Sequence, residues 1–486
     1  MKRGAWVFAL VSMAGIAGCR AIGPDYERPD IETDAQWAAS SDEAFNSADP
    51  EQIQAWWKEL NDPVLDDLVG RAFISNLDVA SAVQRVRQSA ALRGVAAGER
   101  FPDLDGSGSY SAERQGQNGF PGLAEPAEFD SFALGLEFGW ELDVWGRVRR
   151  SIEAADADLA ATVEDLHDVR LLLAVEVVSE YVGLRTAQKR LEVANRNIEI
   201  QSRSLEITTT RFENGAAPRL DVAQAQTNLA NTEAEFPSLE ADLRERILRL
   251  SVLLGENPTA LLDELHAPGE IPDPPEAIAV GIPADVLRRR PDVRSAERRL
   301  AAEVARIGVE LGDLYPRFSL SGSLQLNSTN ASSLFSSDSL GYGIGPAFTW
   351  SLFDGGRQRG EVRAQRAAAD IAALTYRSTV LEALEDVEGA MFRHARQIER
   401  TEAFERASES AAQSAELSRQ LYLEGRSDFQ NVLDSERELF AAQDSLILSL
   451  ADVTNTYVTL QRSLGAGWAP EPEVPDVRED PDGTAG

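Results

Sequence analysis

The chain has 486 residues, enough for two or three ordinary domains, and carries 80 acidic against 47 basic residues, a formal charge of −33. That balance excludes a surface built to displace the counterions of nucleic acid, and it favours cations in any interior the chain lines. With 43% apolar residues, disorder throughout is excluded as well.

At the start, Lys2 and Arg3 precede an apolar run from Ala5 to Ala17 that is too short to span a bilayer as a helix, so residues 1–18 read as a secretory signal. The run ends Ile16-Ala17-Gly18-Cys19, which resembles the lipobox of bacterial lipoproteins, and Cys19 is the only cysteine. Cleavage before it would leave a thiol for diacylglycerol and an amine for acylation, enough acyl chain for stable anchoring. Arg20, in place of the aspartate of an inner-membrane retention signal, favours the outer membrane. Residues 19–61 have little regular pattern and read as a strap leading from the lipid anchor.

The rest of the chain is written twice. Asn76 to Ala82 (NLDVASA) recurs as Arg290 to Ala296 (RPDVRSA), and Phe101 (FPDL) recurs at Tyr315 (YPRF), both at an offset of 214. Further on the offset becomes 210, pairing Trp140 with Trp350, Gly146 with Gly356, Gly215 with Gly425, Val222 with Val432 and Leu254 with Leu464. Repeat 1 occupies 62–257 and repeat 2 occupies 284–468, joined by a proline-rich linker, 258–283. The difference of four residues is expected in the first copy's hairpin loop. An acidic, proline-rich tail, 469–486, has a disordered composition.

Each copy predicts a helix (about 76–100 and 291–314), a hairpin of two strands (about 102–144 and 316–353), a very long helix (about 147–212 and 357–423) and a last helix (about 219–254 and 429–463). In the first long helix, apolar or near-apolar residues from 159 to 198 recur every 3.5 residues, the period of a coiled-coil seam. Such a helix would be roughly 100 Å long. Gly215 and Gly425 are expected to end the long helices in the left-handed conformation, with Pro218 starting one following helix and Ser427 or Asp428 capping the other.

The strands alternate strictly. In "SFALGLEFGWELDV", Phe132, Leu134, Leu136, Phe138, Trp140, Leu142 and Val144 share one face. Leu340, Tyr342, Ile344, Pro346, Phe348, Trp350 and Leu352 do so in the second copy. A soluble sandwich would alternate too, but an exported chain with strands of membrane-crossing length fits a lipid-facing sheet. Four strands cannot close a barrel, and open edges are not tolerated in lipid. Two chains would give eight strands around a filled interior, whereas three would give twelve around a pore. No catalytic constellation is visible, and His167, His266 and His394 lie on separate segments without ligand-like spacing.

The stretches GPDYERP (Gly23 to Pro29), WWKELNDPVLDDLV (Trp56 to Val69), IPADVLRRRPDVRSAERRLAAEVARIGVELGDLYPRFSLSGS (Ile282 to Ser323) and LYLEGRSDFQNVLDSERELF (Leu421 to Phe440) resemble the TolC-like outer-membrane factors, in particular their NodT-type lipoprotein branch. The resemblance implies an α+β membrane protein in which long antiparallel coiled-coil helices form an α-helical barrel and four strands per chain join a twelve-stranded β-barrel. It implies a homotrimer that docks on a periplasmic adaptor and an inner-membrane pump, usually of the resistance-nodulation-division type. It also implies a passive gated channel with no cofactor beyond lipid on Cys19. Family members carry an aspartate ring at the periplasmic aperture, and the matching residue is Asp434. Asn431 stands where the family has a second aspartate, so a double ring is not implied. Arg426 is a candidate partner in holding the tip closed. Gly215, Gly425, Arg426, Ser427 and Val432 are candidates for the adaptor-docking tips. A non-conducting lipoprotein scaffold, with no strands at membrane depth, is the competing reading.

Overall fold

The computed structural model describes residues 21–31, 34–38, 45–46, 50–115 and 127–467. In chain order these form β1 (Phe45–Asn46), a 3₁₀ segment (Pro50–Leu60), α1 (Pro63–Ser75), α2 (Leu77–Gly98), β2 (Asp103–Gln115), β3 (Ala127–Leu142) and α3 (Arg147–Glu213). There follow α4 (Arg219–Leu253), β4 (Ile278–Ala279), α5 (Pro283–Arg289), α6 (Pro291–Gly312), β5 (Arg317–Ser328), β6 (Leu340–Thr349), α7 (Arg357–Leu423) and α8 (Phe429–Ser463). The chain divides into a sheet unit (residues up to Asp30, 86–162 and 296–376) and a helical unit (31–85, 163–295 and 377–486). The signal peptide, Cys19 and the tail lie outside the described residues.

In the sheet unit, four strands pair antiparallel in the order β2-β3-β5-β6. The register sets Phe138 opposite Leu104 and Phe132 opposite Tyr110. It also sets Trp140 opposite Leu320, Leu136 opposite Leu324, and Phe318 opposite Phe348. A shift of one residue would scatter these side chains over both faces, so the alternating pattern itself fixes the register. The first hairpin is longer in its strands rather than in its loop. β2 has 13 residues against 12 in β5, and β3 begins three residues before the position equivalent to the start of β6. β3 ends at Leu142 and β6 at Thr349, so Val144, Trp350 and Leu352 lie past the strands on which the alternation placed them. There the tryptophans act at the strand feet. Trp140 Nε1 donates to Arg100 O (3.0 Å) and Trp350 Nε1 to Leu314 O (3.2 Å), the same bond in both repeats.

The helical unit is cored by Trp56, Leu65, Leu68, Tyr181, Leu184, Leu250 and Tyr457, all essentially buried. Asp62 begins α1 by accepting from Val64 N and Leu65 N with Pro63 in the first turn, and its other oxygen takes the Tyr181 hydroxyl at 2.6 Å. Trp56 belongs to this core although it falls in the pattern-poor strap, where Pro50–Leu60 is 3₁₀ with a kink at Ala55. β1 and β4 form a two-residue parallel pair between strap and linker. The repeat persists at helix ends. Asn76 Nδ2 donates to Leu253 O, and its repeat equivalent Arg290 donates to Ser463 O, the equivalent carbonyl. Among the described residues no helix is long and apolar enough to cross a membrane.

Candidate channel wall and tip

The sheet presents two chemically distinct faces. One carries Leu104, Tyr110, Leu134, Leu136, Leu324, Leu340, Tyr342, Ile344 and Phe348, all at least a third exposed, with Tyr342 at 84% and Ile344 at 75%. The other carries Asp105, Ser107, Gly135, Glu137, Ser319, Ser321, Ser323, Gln325, Gly341, Gly343 and Gly345. An exposed apolar face of this extent needs an apolar phase or a partner. β2 and β6 leave both lateral edges of the sheet unpaired among the described residues.

The two helical turns, in the helical unit, share one geometry. Gly215 has φ +72° and Gly425 φ +71°. Each donates three residues back, to Phe212 O and Tyr422 O. The next amides, Ala216 and Arg426, donate five residues back, to Arg211 O and Leu421 O. That pair of bonds is the Schellman closure, which requires a left-handed residue and hence glycine. Pro218 stands at the N-cap of α4 instead of inside its first turn, and Asp428 stands at the N-cap of α8 without a side-chain cap bond. Ser427 instead accepts from Asn431 Nδ2 at 2.9 Å, tying down the first turn of α8.

The residues expected at the gate separate into distinct roles. Asp434 is exposed, and its carboxylate accepts from Gln430 Nε2 at 2.9 Å, while Arg437 stands 4.0 Å away. Arg426 pairs with Glu424 at 3.0 Å and makes no bond to Asp434 within the chain. Val432 is 1% exposed and packs with Ala225, Tyr422, Phe429 and Leu433, so its side chain is no part of the tip's exposed surface. Gly215, Gly425, Ser427 and Asn431 are exposed or half-buried at the turns.

Arg211 and Tyr422 were not singled out in the sequence. The Arg211 guanidinium lies 4.6 Å over the Tyr422 ring and donates to Tyr422 O and Leu423 O, closing the end of α7 with a side chain from the end of α3. Burial raises the Asp221 carboxyl, helped by the charge of Asp428 and opposed by Arg211. The available signal was asymmetry, because the repeat equivalent of Arg211 is Leu421.

The outer membrane efflux protein family matches residues 68–256 and 282–466, one segment for each repeat. The chain belongs to that family. Nodulation protein T of Rhizobium leguminosarum bv. trifolii is 32% identical over 94% of this chain and 96% of its own length. The pyoverdine export outer membrane protein OpmQ of Pseudomonas aeruginosa is 29% identical over 95% and 98%. The solved outer-membrane channel OprN superposes with a TM-score of 0.86 at 36% identity, covering 92% of this chain and 99% of that one. As a member of the outer membrane efflux protein family, the chain is a passive outer-membrane channel and not an enzyme. Its mostly helical architecture, four-stranded sheet and twofold repeat are those of the family.

Proposed function

We propose that three copies of this chain close one twelve-stranded barrel and one gated helical duct, anchored by lipid on Cys19 after removal of residues 1–18. The carrying observation is the sheet: one face that is apolar over most of its length, with Arg114, Glu128 and Asp130 confined to the hairpin end of β2 and β3, one mainly small and polar face, and two edges left open among the described residues. β2 and β6 run in opposite senses, so β6 of one copy can pair antiparallel with β2 of the next. Closure removes the edges that lipid does not tolerate. The apolar face then meets lipid and the serine- and glycine-rich face lines the lumen.

The export energy comes from an inner-membrane pump of the resistance-nodulation-division type, reached through a periplasmic adaptor. Cargo selection is expected mainly in that pump. Asp434 forms the polar constriction, where three carboxylates would repel one another and attract cations. Gly215, Gly425, Arg426 and Ser427 form the docking tips, where the two glycines let another helical hairpin approach the backbone closely.

The test is the mass of the detergent-extracted protein by light scattering, followed by bilayer conductance of the same fraction. A cation-conducting trimer supports the duct. A monomer, or a silent trimer, overturns it in favour of a non-conducting scaffold.

A further inference from the structure

Residues 21–28 have no regular secondary structure, yet they are seated by a set of contacts that the channel wall does not need. The Arg150 guanidinium is 3% exposed and spends three of its four bonds on this segment. Its Nε donates to Ile22 O at 3.1 Å, and its Nη2 to Gly23 O at 3.3 Å and Asp25 Oδ1 at 2.6 Å; Nη1 reaches Glu153 at 2.7 Å. Ile22 N donates to Trp145 O at 2.9 Å. Farther along, Arg28 pairs with Glu297 at 3.3 Å and donates to the Tyr376 hydroxyl at 3.5 Å.

Glycines clear the path. Gly23 has φ +104°, and a Cβ there would fall 2.6 Å from Gly308 Cα. A Cβ on Gly308 would meet the Arg150 side chain and Ile22 O, and one on Gly146 would fall 2.5 Å from the Ala21 methyl. Gly94 and Gly356 are equivalent to Gly308 and Gly146, but Arg150 is replaced by Gly360. A Cβ on any of these three would find nothing within 4 Å. The buried arginine thus has no counterpart in the other repeat, where Gly360 stands.

We propose that residues 21–28 are a latch, locked by Arg150, that holds the acylated Cys19 at the foot of β3 so that the acyl chains enter the membrane beside the strand ends and the chain is positioned for trimer assembly. This rests on the reading of Cys19 as the lipid attachment site. Cys19 lies two residues before Ala21 in the chain, and the Ala21 methyl is what a Cβ on Gly146 would strike. Arg150 is a positioning residue: it touches no cargo and no lipid.

The test uses the full-length protein in native membranes, with spin labels on Glu27→Cys and Arg359→Cys, both exposed positions of the sheet unit, in a chain diluted with excess unlabelled chain so that an assembly holds one labelled copy. It compares Arg150 with Arg150→Ala and Gly308→Leu. Palmitate incorporation, helicity and trimer fraction are read on the same samples. We expect a single narrow distance in the parent and a broad one in both variants, with palmitate and helicity unchanged. Trimer per palmitate-labelled chain should fall about tenfold, the loss of buried bonds to a charged group. If Gly308→Leu loses helicity, Arg150→Ala decides alone. A distance that stays narrow in Arg150→Ala overturns the lock, and a broad distance with undiminished trimer overturns the assembly role. Absence of palmitate in the parent overturns the anchor reading and the delivery role with it, and is distinguished by a distance that remains narrow.

Discussion

Gln224 and Asp434 occupy the same position in the two repeats, and one side chain joins them: Gln430 donates to Asp434 at 2.9 Å while accepting from Gln224 at 3.2 Å. The bridge is neutral. It orients the carboxylate without cancelling its charge, and Arg437 at 4.0 Å is exposed and well screened. Asp434→Ala should therefore reduce cation preference by roughly threefold or more in single-channel recordings and raise conductance through the wider aperture. Gln430→Ala, which frees the carboxylate but keeps it, should preserve the preference. Equal selectivity in wild type and Asp434→Ala would remove this residue from the gate.

The pair of bonds found at Gly215 and Gly425 also closes α4 at Gly255 (N to Val252 O, with Glu256 N to Ser251 O) and α8 at Gly465 (N to Arg462 O, with Ala466 N to Gln461 O), and these Schellman glycines permit a graded prediction. Gly215 and Gly425 have nothing within 4 Å of an added Cβ, so alanine there costs only the left-handed backbone, about 1 to 2 kcal/mol. Gly255 has φ +68°, and its Cβ would fall 2.4 Å from Ser75 O, a backbone atom that cannot move without disturbing α1. Gly255→Ala should cost at least 2 kcal/mol more than Gly425→Ala, since overpacking adds to strain. Thermal unfolding of the two variants measures the difference directly.

These turns were legible because a glycine at the end of a periodic helix has one dominant use. The long helices, both hairpins and the sheet's two faces were equally legible, since period 3.5 and period 2 are written over dozens of residues. Trp56 in the strap was not, because burial by a distant helix leaves no local period. Arg211 over Tyr422 joins residues from different repeats, 211 positions apart in the chain, and no spacing rule reaches that far. The polar continuation of the α3 seam was also hidden: Asn197, Gln201, Ser204 and Thr208 are all at most 5% exposed. An apolarity count stops where such residues begin.

That seam holds a titration. Glu436 is 3% exposed, one oxygen accepts from the Ser204 hydroxyl, and the other has no partner among the described residues. Burial raises its carboxyl above the usual glutamate range, with the Ser204 bond and the charge of Arg419 opposing the rise only in part. The folded state therefore holds this proton more tightly than the unfolded one. Its contribution to stability is present in full below the unfolded-state titration and is lost as pH rises through the folded one. Glu436→Gln should flatten that slope, matching wild type in acid and exceeding it at neutral pH. Denaturant midpoints across pH 4 to 8, a span of about four units around ordinary carboxylate and histidine values, would show it. A wild-type midpoint that rises with pH while the glutamine variant does not would contradict the assignment.

The final prediction sets the two sheet faces against each other. Ile344 and Gly343 are neighbours on β6, opposite Gly322 and Ser323 of β5, and their side chains leave on opposite faces. Ile344 is 75% exposed on the apolar face, whereas a Cβ on Gly343 would meet only the Ser323 hydroxyl oxygen, at 3.8 Å. If the apolar face meets lipid, Ile344→Arg costs about 2 to 4 kcal/mol near the bilayer midplane. Gly343→Arg faces water, costs far less in stability, and lowers conductance and cation preference by placing three added charges in the lumen. A heat-modifiability assay for the trimer, followed by conductance, separates the two effects. The contrast carries the force of the test, because both variants introduce the same arginine and the same change in chain charge at adjacent positions of one strand. Should Gly343→Arg abolish the trimer while Ile344→Arg assembles and conducts normally, the faces are reversed and the lumen assignment fails.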